Sequence, residues 1–158
     1  EFAFELLRDL PAGRAPCERE DILGAVALRP AIELVWSRYE QQDTSKRELF
    51  DDIADNVLGG GLLVGPRYPG RADLDVGDLW IDYRVGDSAA APNSLGPDRC
   101  VPFDVLIHAI RTLTGQGIGL NRGDLIATGG VTEMHPMTSG GHVNASFGEL
   151  GVVRADII

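Results

Sequence analysis

Ala31-Ile32-Glu33-Leu34-Val35-Trp36 is an apolar run of strand length interrupted by a single carboxylate. Branched and aromatic residues over six positions, directly after Pro30, read as a β-strand. A carboxylate inside such a strand has to be paired, protonated or bound to a metal. Glu33 is therefore the first residue expected to carry chemistry. An ion pair with a neighbour such as Arg38 is the plainer alternative, and the residues alone leave both open.

Upstream, Phe2, Ala3, Phe4, Leu6 and Leu7 make a strand over residues 1–7 that ends in the turn Asp9–Gly13. Strand alternation puts positions 1, 3 and 5 on one face. Glu1 and Glu5 on that face, with Glu33 on a neighbouring strand, would compose an all-oxygen site suited to Mg²⁺ or Mn²⁺. The alternative is a solvated strand face. Glu18, Glu20 and Asp21 precede Ile22, Leu23, Ala25, Val26 and Leu28, which predicts a helix over 18–29 stopped by Pro30.

Downstream, 46–58 is amphipathic and ends at Gly59-Gly60-Gly61. No Lys-Ser/Thr follows, so the glycines read as a flexible turn and not a phosphate cradle. An apolar run at 62–64 and an alternating strand over 79–85 come next. The Gly/Ala/Pro-rich stretch 86–99 reads as a loop or a mobile lid. Pro102, Phe103, Leu106, Ile110 and Leu113 predict a helix over 102–114. Leu125–Ala127 is a short strand ending at Thr128-Gly129-Gly130, a pocket rim able to bind a carboxylate. Strands near 142–147 and 150–156 close the chain. Many strands and few, scattered helices predict an α+β fold with a mixed, rolled sheet and a few flanking helices. The whole of 1–158 reads as one catalytic-type domain.

Composition narrows the function. The 158 residues carry a net charge of −10, which repels phosphate backbones and anionic membranes. No apolar run approaches the roughly 18 residues of a membrane span. Two cysteines, Cys17 and Cys100, make no disulfide framework, and a reduced cytoplasm is the default setting. No Gly-x-Ser-x-Gly elbow is present, and the three histidines have no metal-ligand spacing. Lys46 is the only lysine. The chain lacks a starting methionine and begins inside an apolar run, so an upstream segment is expected.

Five segments, in this order and spacing, carry a resemblance: EFAFELLRDLP (1–11), PAIELVWSR (30–38), DDIADN (51–56), GDLIATG (123–129) and FGELGV (147–152). Together they resemble the fumarylacetoacetate hydrolase superfamily, in particular the C-terminal portion of its 2-keto-4-pentenoate hydratase and 4-oxalocrotonate decarboxylase group. The resemblance implies a Mg²⁺ (or Mn²⁺) ion held by a Glu-x-Glu pair and a third glutamate. Glu1 falls on the second member of the pair and Glu33 on the third ligand, with the first member two residues before Glu1. It implies catalytic roles for Asp55 and Asn56, and substrate contacts from Thr128, Gly129 and Arg38.

The implied activity is that of a hydratase-type lyase on a 2-hydroxy-dienoate or related 2-oxo acid. Its metal would stabilise an enolate, the electron sink a decarboxylase also uses. A homo-oligomer, in places associated with a partner pathway enzyme, is implied too. Val57-Leu58-Gly59 replaces the small residue and serines usual after the Asp-Asn pair. That change implies a more apolar pocket and favours a second reading, a diverged member that decarboxylates, cleaves or cyclises a bulkier substrate. A non-catalytic partner subunit is the third.

Overall fold

All five residues of β1 (Phe2–Leu6) are buried, with side chains directed alternately to the two faces of the sheet. Phe2, Phe4 and Leu6 are fully buried, and Phe2 and Phe4 meet Phe147 and Phe103 edge-on with ring centroids 5.7 and 5.8 Å apart. Such T-shaped pairs add about 0.5–1.5 kcal/mol beyond the area they bury. Glu1, Ala3 and Glu5 face the other way. The computed structural model describes residues 1–13, 18–39, 48–137 and 141–156, so Lys46 and Cys17 lie outside the described residues.

β1 is flanked by β2 (Val26–Val35) and β5 (Leu125–Ala127), and β2 by β3 (Gly59–Val64), in the order β3-β2-β1-β5. Phe2 stands opposite Pro30, Phe4 opposite Leu28, and Ala3 also opposite Ala127. A second sheet has the order β4 (Asp82–Val85), β6 (His142–Ser146), β7 (Val152–Asp156). Every strand pair among the described residues is antiparallel.

Val143, Ala145 and Val153 of the second sheet join Phe2, Phe4 and Leu28 of the first in one core, to which α3 (Pro102–Gly115) adds Phe103, Leu106 and Ile110. The helices α1 (Arg19–Leu23) and α2 (Leu49–Ala54) are short. The architecture is α+β, with curled sheets and few helices.

One sequence expectation is corrected and two others gain detail. The helix over 18–29 stops at Leu23, and Val26–Arg29 belong to β2. Val26 and Leu28 pair with Leu6 and Phe4, so a period of two buries them where a helix would not. Pro30 does not break this strand. Its missing N–H points toward β3, which has already ended at Val64; its carbonyl still accepts from Gly65 N at 2.8 Å. Within 46–58, the described helix covers only Leu49–Ala54.

The stretch 86–99 is largely loop, as expected, and hydrogen bonds fasten its far end. Buried Arg99 ties it down, donating from Nε to Ser94 O at 2.7 Å and from Nη1 to Val76 O and Leu79 O at 2.6 and 2.7 Å. Burial lowers the pKa of this guanidinium, whose charge is answered by carbonyl dipoles.

Candidate active site

The face of the first sheet turned away from the core carries Ala3 and Glu5 of β1, with Glu1 directly before the strand. Beside them run Ala31 and Glu33 of β2, Leu62 of β3, and Leu125 and Ala127 of β5. A cavity of about 550 Å³ opens on this face. Its walls are Glu1, Glu33, Asn56, Gly59, Gly60, Gly61, Leu62, Leu125, Ala127 and Gly129.

Two carboxylates meet there. Glu1 continues the β1 ladder, its carbonyl accepting from Ala31 N at 3.0 Å. Its Oε2 is buried and has no hydrogen-bond partner. Burial pushes the Glu1 carboxyl above its ordinary range, and the nearby Glu33 carboxylate adds to the rise. Glu33 stands opposite Leu62 and is exposed on the open face. The interior position expected for it is therefore corrected: its apolar neighbours Ile32 and Leu34 point to the other side of the pleat. Arg38 is not its partner. That guanidinium donates to Asp55 O at 2.8 Å and Gly59 O at 2.9 Å.

Two converging carboxylates with an orphaned buried oxygen fit a hard divalent cation, which would satisfy the free oxygen and remove the like-charge repulsion. The pair stands alone in this respect. No group of three His, Cys, Asp or Glu able to hold a metal occurs among the described residues. Glu5 shares the face but is withdrawn by arginines, Arg67 Nε donating to it at 2.9 Å and Arg29 Nη1 at 2.7 Å. These bonds hold its carboxyl down at about 2. Of the three carboxylates expected on this face, Glu1 and Glu33 line the cavity and Glu5 does not.

Asn56 reaches the cavity through an unusual turn. Asn56, Val57 and Leu58 have φ of 54, 51 and 64°, three consecutive non-glycine residues in the left-handed region. Such backbone costs roughly 1–2 kcal/mol per residue and persists only where surroundings impose it, often at functional sites. The restraint is Asp55. Its carboxylate is buried and accepts from Arg38 N and Ser37 Oγ, both at 2.8 Å. The Arg38 amide above all, with Ser37 and the Arg38 guanidinium, holds its pKa below the ordinary value. Asp55 and Arg38 thus grip the turn from behind, and neither lines the cavity.

Thr128 is buried, with its hydroxyl donating to Phe2 O at 3.0 Å, while Gly129 after it (φ 102°) forms the rim. Leu62, Leu125, Ala127 and the glycines at 59–61 are walls that the linear reading missed. The glycines begin β3 instead of forming a free turn. Gly60 crosses β2 so closely that a Cβ would lie 2.6 Å from Leu34 O. The signal was the period-two pattern of residues facing Glu33, legible only once the register is known.

The fold is that of fumarylacetoacetate hydrolase-like proteins, and the resemblance drawn from the sequence holds in comparison with known proteins. No family model matches the chain. It is 27% identical over 126 residues to 2-keto-4-pentenoate hydratase 2 of Dechloromonas aromatica, covering 80% of this chain and 47% of that protein. It is 27% identical over 169 residues to the 2-oxo-hept-4-ene-1,7-dioate hydratase of Escherichia coli, covering 100% and 60%.

Among solved structures it resembles 4-oxalocrotonate decarboxylase from Pseudomonas putida G7 complexed with magnesium and adipate. The TM-score is 0.72 at 22% identity, over 100% of this chain and 59% of that one. The same decarboxylase with calcium and acetate gives 0.72 at 20%, with the same coverage. The chain spans about half the length of the curated relatives it matches. No helix among the described residues is long and apolar enough to cross a membrane.

Proposed function

We propose that this chain is the C-terminal portion of a divalent-metal-dependent lyase of hydratase type, acting on a 2-hydroxy-dienoate or related 2-oxo acid. The observation that carries the reading is the convergence of Glu1 and Glu33 on one cavity, with a buried Glu1 oxygen left unpartnered. Glu1 and Glu33 would hold the ion, Mg²⁺ by preference, as the magnesium-bound neighbour suggests. Phe2 faces Pro30 and Phe4 faces Leu28, so a residue two positions upstream of Glu1 on the same strand would face Glu33. That register supports a third carboxylate ligand there.

A bound divalent cation would supply Lewis acidity toward the 2-oxo and carboxylate oxygens of the substrate. The chain's own residues do the rest. Asn56, held rigid by Asp55 and Arg38, offers an amide to the bound acid. Gly129, free of a side chain, leaves the strand end open for the substrate carboxylate, with Thr128 anchoring that end to β1. Leu62, Leu125 and Ala127 keep water from the carbon skeleton.

The test is magnesium titration of the full-length protein by calorimetry, beside a hydration assay on 2-hydroxy-2,4-dienoates. Wild type binds and turns over. Glu33→Ala loses at least tenfold in magnesium affinity and nearly all turnover. Equal affinity in both proteins removes Glu33 from the ligand set. A homo-oligomer and a cytoplasmic setting belong to the same proposal. Exposed Trp36, Leu49, Phe50 and Ile53 support the oligomer, which sedimentation of the full-length protein checks.

A further inference from the structure

We propose that the outer face of the second sheet carries a binding site for a phosphate group, built from Arg84, Asn144 and Arg154. The site is separate from the carboxylate cavity and stands independently of the lyase reading.

Tyr83, Val143, Ala145 and Val153 turn one face of β4-β6-β7 toward the core, and alternation sends their strand neighbours the other way. The register then sets Arg84, Asn144 and Arg154 in one row across the three strands. The row lies in a cavity of about 520 Å³ whose walls include Gly86, His142 and Asp156. That volume is within the roughly 300–1,000 Å³ of small-molecule sites. The cavity shares no wall residue with the one around Glu1 and Glu33. Arg84 and Arg154 start two strand spacings apart, roughly 9.5 Å, a gap that two arginine side chains leaning inward close on a single phosphate.

Unengaged donors distinguish this row. Arg154 Nε donates to Asn144 Oδ1 at 2.7 Å, which turns that amide oxygen toward β7 and leaves Nδ2 to donate elsewhere. Arg84 Nε donates to Asp82 Oδ1 at 2.7 Å. Among the described residues, no acceptor meets the Nη groups of either guanidinium. Arg29, Arg38, Arg67 and Arg99 instead aim terminal nitrogens at oxygens of this chain. The walls hold two guanidiniums against one carboxylate, Asp156, which stands opposite His142. Asp82 offsets part of the Arg84 charge. What remains is a local positive spot in a chain of net charge −10, enough for one oxyanion and unsuited to a polyanion. Two guanidinium forks and an amide offer more donors than the two oxygens of a carboxylate can take up, and match the oxygens of a phosphate.

The experiment is calorimetric titration of the full-length protein with inorganic phosphate at low ionic strength, in chelator so that no metal at Glu1 and Glu33 competes for the anion. Wild type binds saturably, with a dissociation constant of about 1 mM or tighter. Acetate binds at least tenfold more weakly than phosphate, and Arg84→Gln and Arg154→Gln each lose at least tenfold in phosphate affinity. Glycerol 3-phosphate separates the two sources of the group. Tighter binding than inorganic phosphate assigns a phosphorylated small molecule, equal or weaker binding assigns the free ion, and both support the site. Weaker or unsaturable phosphate binding overturns the proposal, as does acetate within tenfold of phosphate or a loss under tenfold in the arginine variants. Circular dichroism checks that each variant is folded. Should Arg154→Gln unfold, Arg84→Gln decides, since the one described bond of its guanidinium is to Asp82 at the surface.

Discussion

Val57 holds φ 51° and ψ 43° and is 72% exposed. A β-branched residue gains nothing from such backbone and loses little packing if replaced. Glycine there relieves roughly 1–2 kcal/mol of left-handed strain against about 0.5–1 kcal/mol of added chain entropy. Val57→Gly is thus expected to raise stability by about 0.5–1 kcal/mol in urea unfolding. A fall in the urea midpoint would mean that the turn is not under strain.

Glu5 makes a pH-dependent contribution of known sign. Its folded pKa, about 2, lies below the ordinary carboxylate value of 4.5, chiefly through Arg67 and then Arg29. The stabilisation is fully present above about pH 4.5 and is lost as pH falls through about 2. Glu5→Gln should cost on the order of 1–2 kcal/mol at pH 7, less than a buried pair because Arg67 is half exposed. The variant's stability should converge on wild type near pH 2, as acid titration followed by circular dichroism would show.

Glu33 stood out in the sequence as a lone carboxylate in an apolar run, but its surroundings did not. An isolated carboxylate among apolar residues looks interior until one knows that the strand has an open face.

The β6–β7 connection depends on Gly151. Its φ is 108°, and a Cβ would lie 2.7 Å from Pro66 Cγ. Both the backbone and the contact oppose a side chain, so Gly151→Ala should destabilise by at least ~2 kcal/mol in thermal or denaturant unfolding. A neutral result would require Pro66 to move freely.

The element boundaries teach the same lesson. The apolar spacing at 22–28 suits a helix as well as a strand, and the contest is decided by partners: Val26 and Leu28 have β1 beside them. The helix over α3 was legible because its fourteen residues keep one periodicity and open on Pro102. Arg99 was not legible as a structural residue. Nothing local marks an arginine whose partners are the carbonyls of Val76, Leu79 and Ser94.

For the molecule as a whole, an ion held only by the folded chain adds stability by mass action. Magnesium at one hundred times its dissociation constant should add about 2.7 kcal/mol to unfolding, and Glu33→Gln should abolish the increment. A thermal shift of full-length protein with and without chelator measures it. Equal shifts in wild type and variant would place the ion elsewhere.

Composition and periodicity determined the class of architecture and offered three carboxylates, Glu1, Glu5 and Glu33, and the family resemblance pointed to Glu1 and Glu33 among them. Strand alternation, turn residues and the pattern of segments are local properties that survive in a linear string. The cavity is different. It forms because Glu1, near the start, comes beside β5 more than a hundred residues later, while β3 lays Leu62 against Glu33. Which arginines are engaged, which leucines face the carboxylates and which side of Glu33 meets water all depend on long-range register. Register is set by the burial of a whole sheet face, which no single segment encodes.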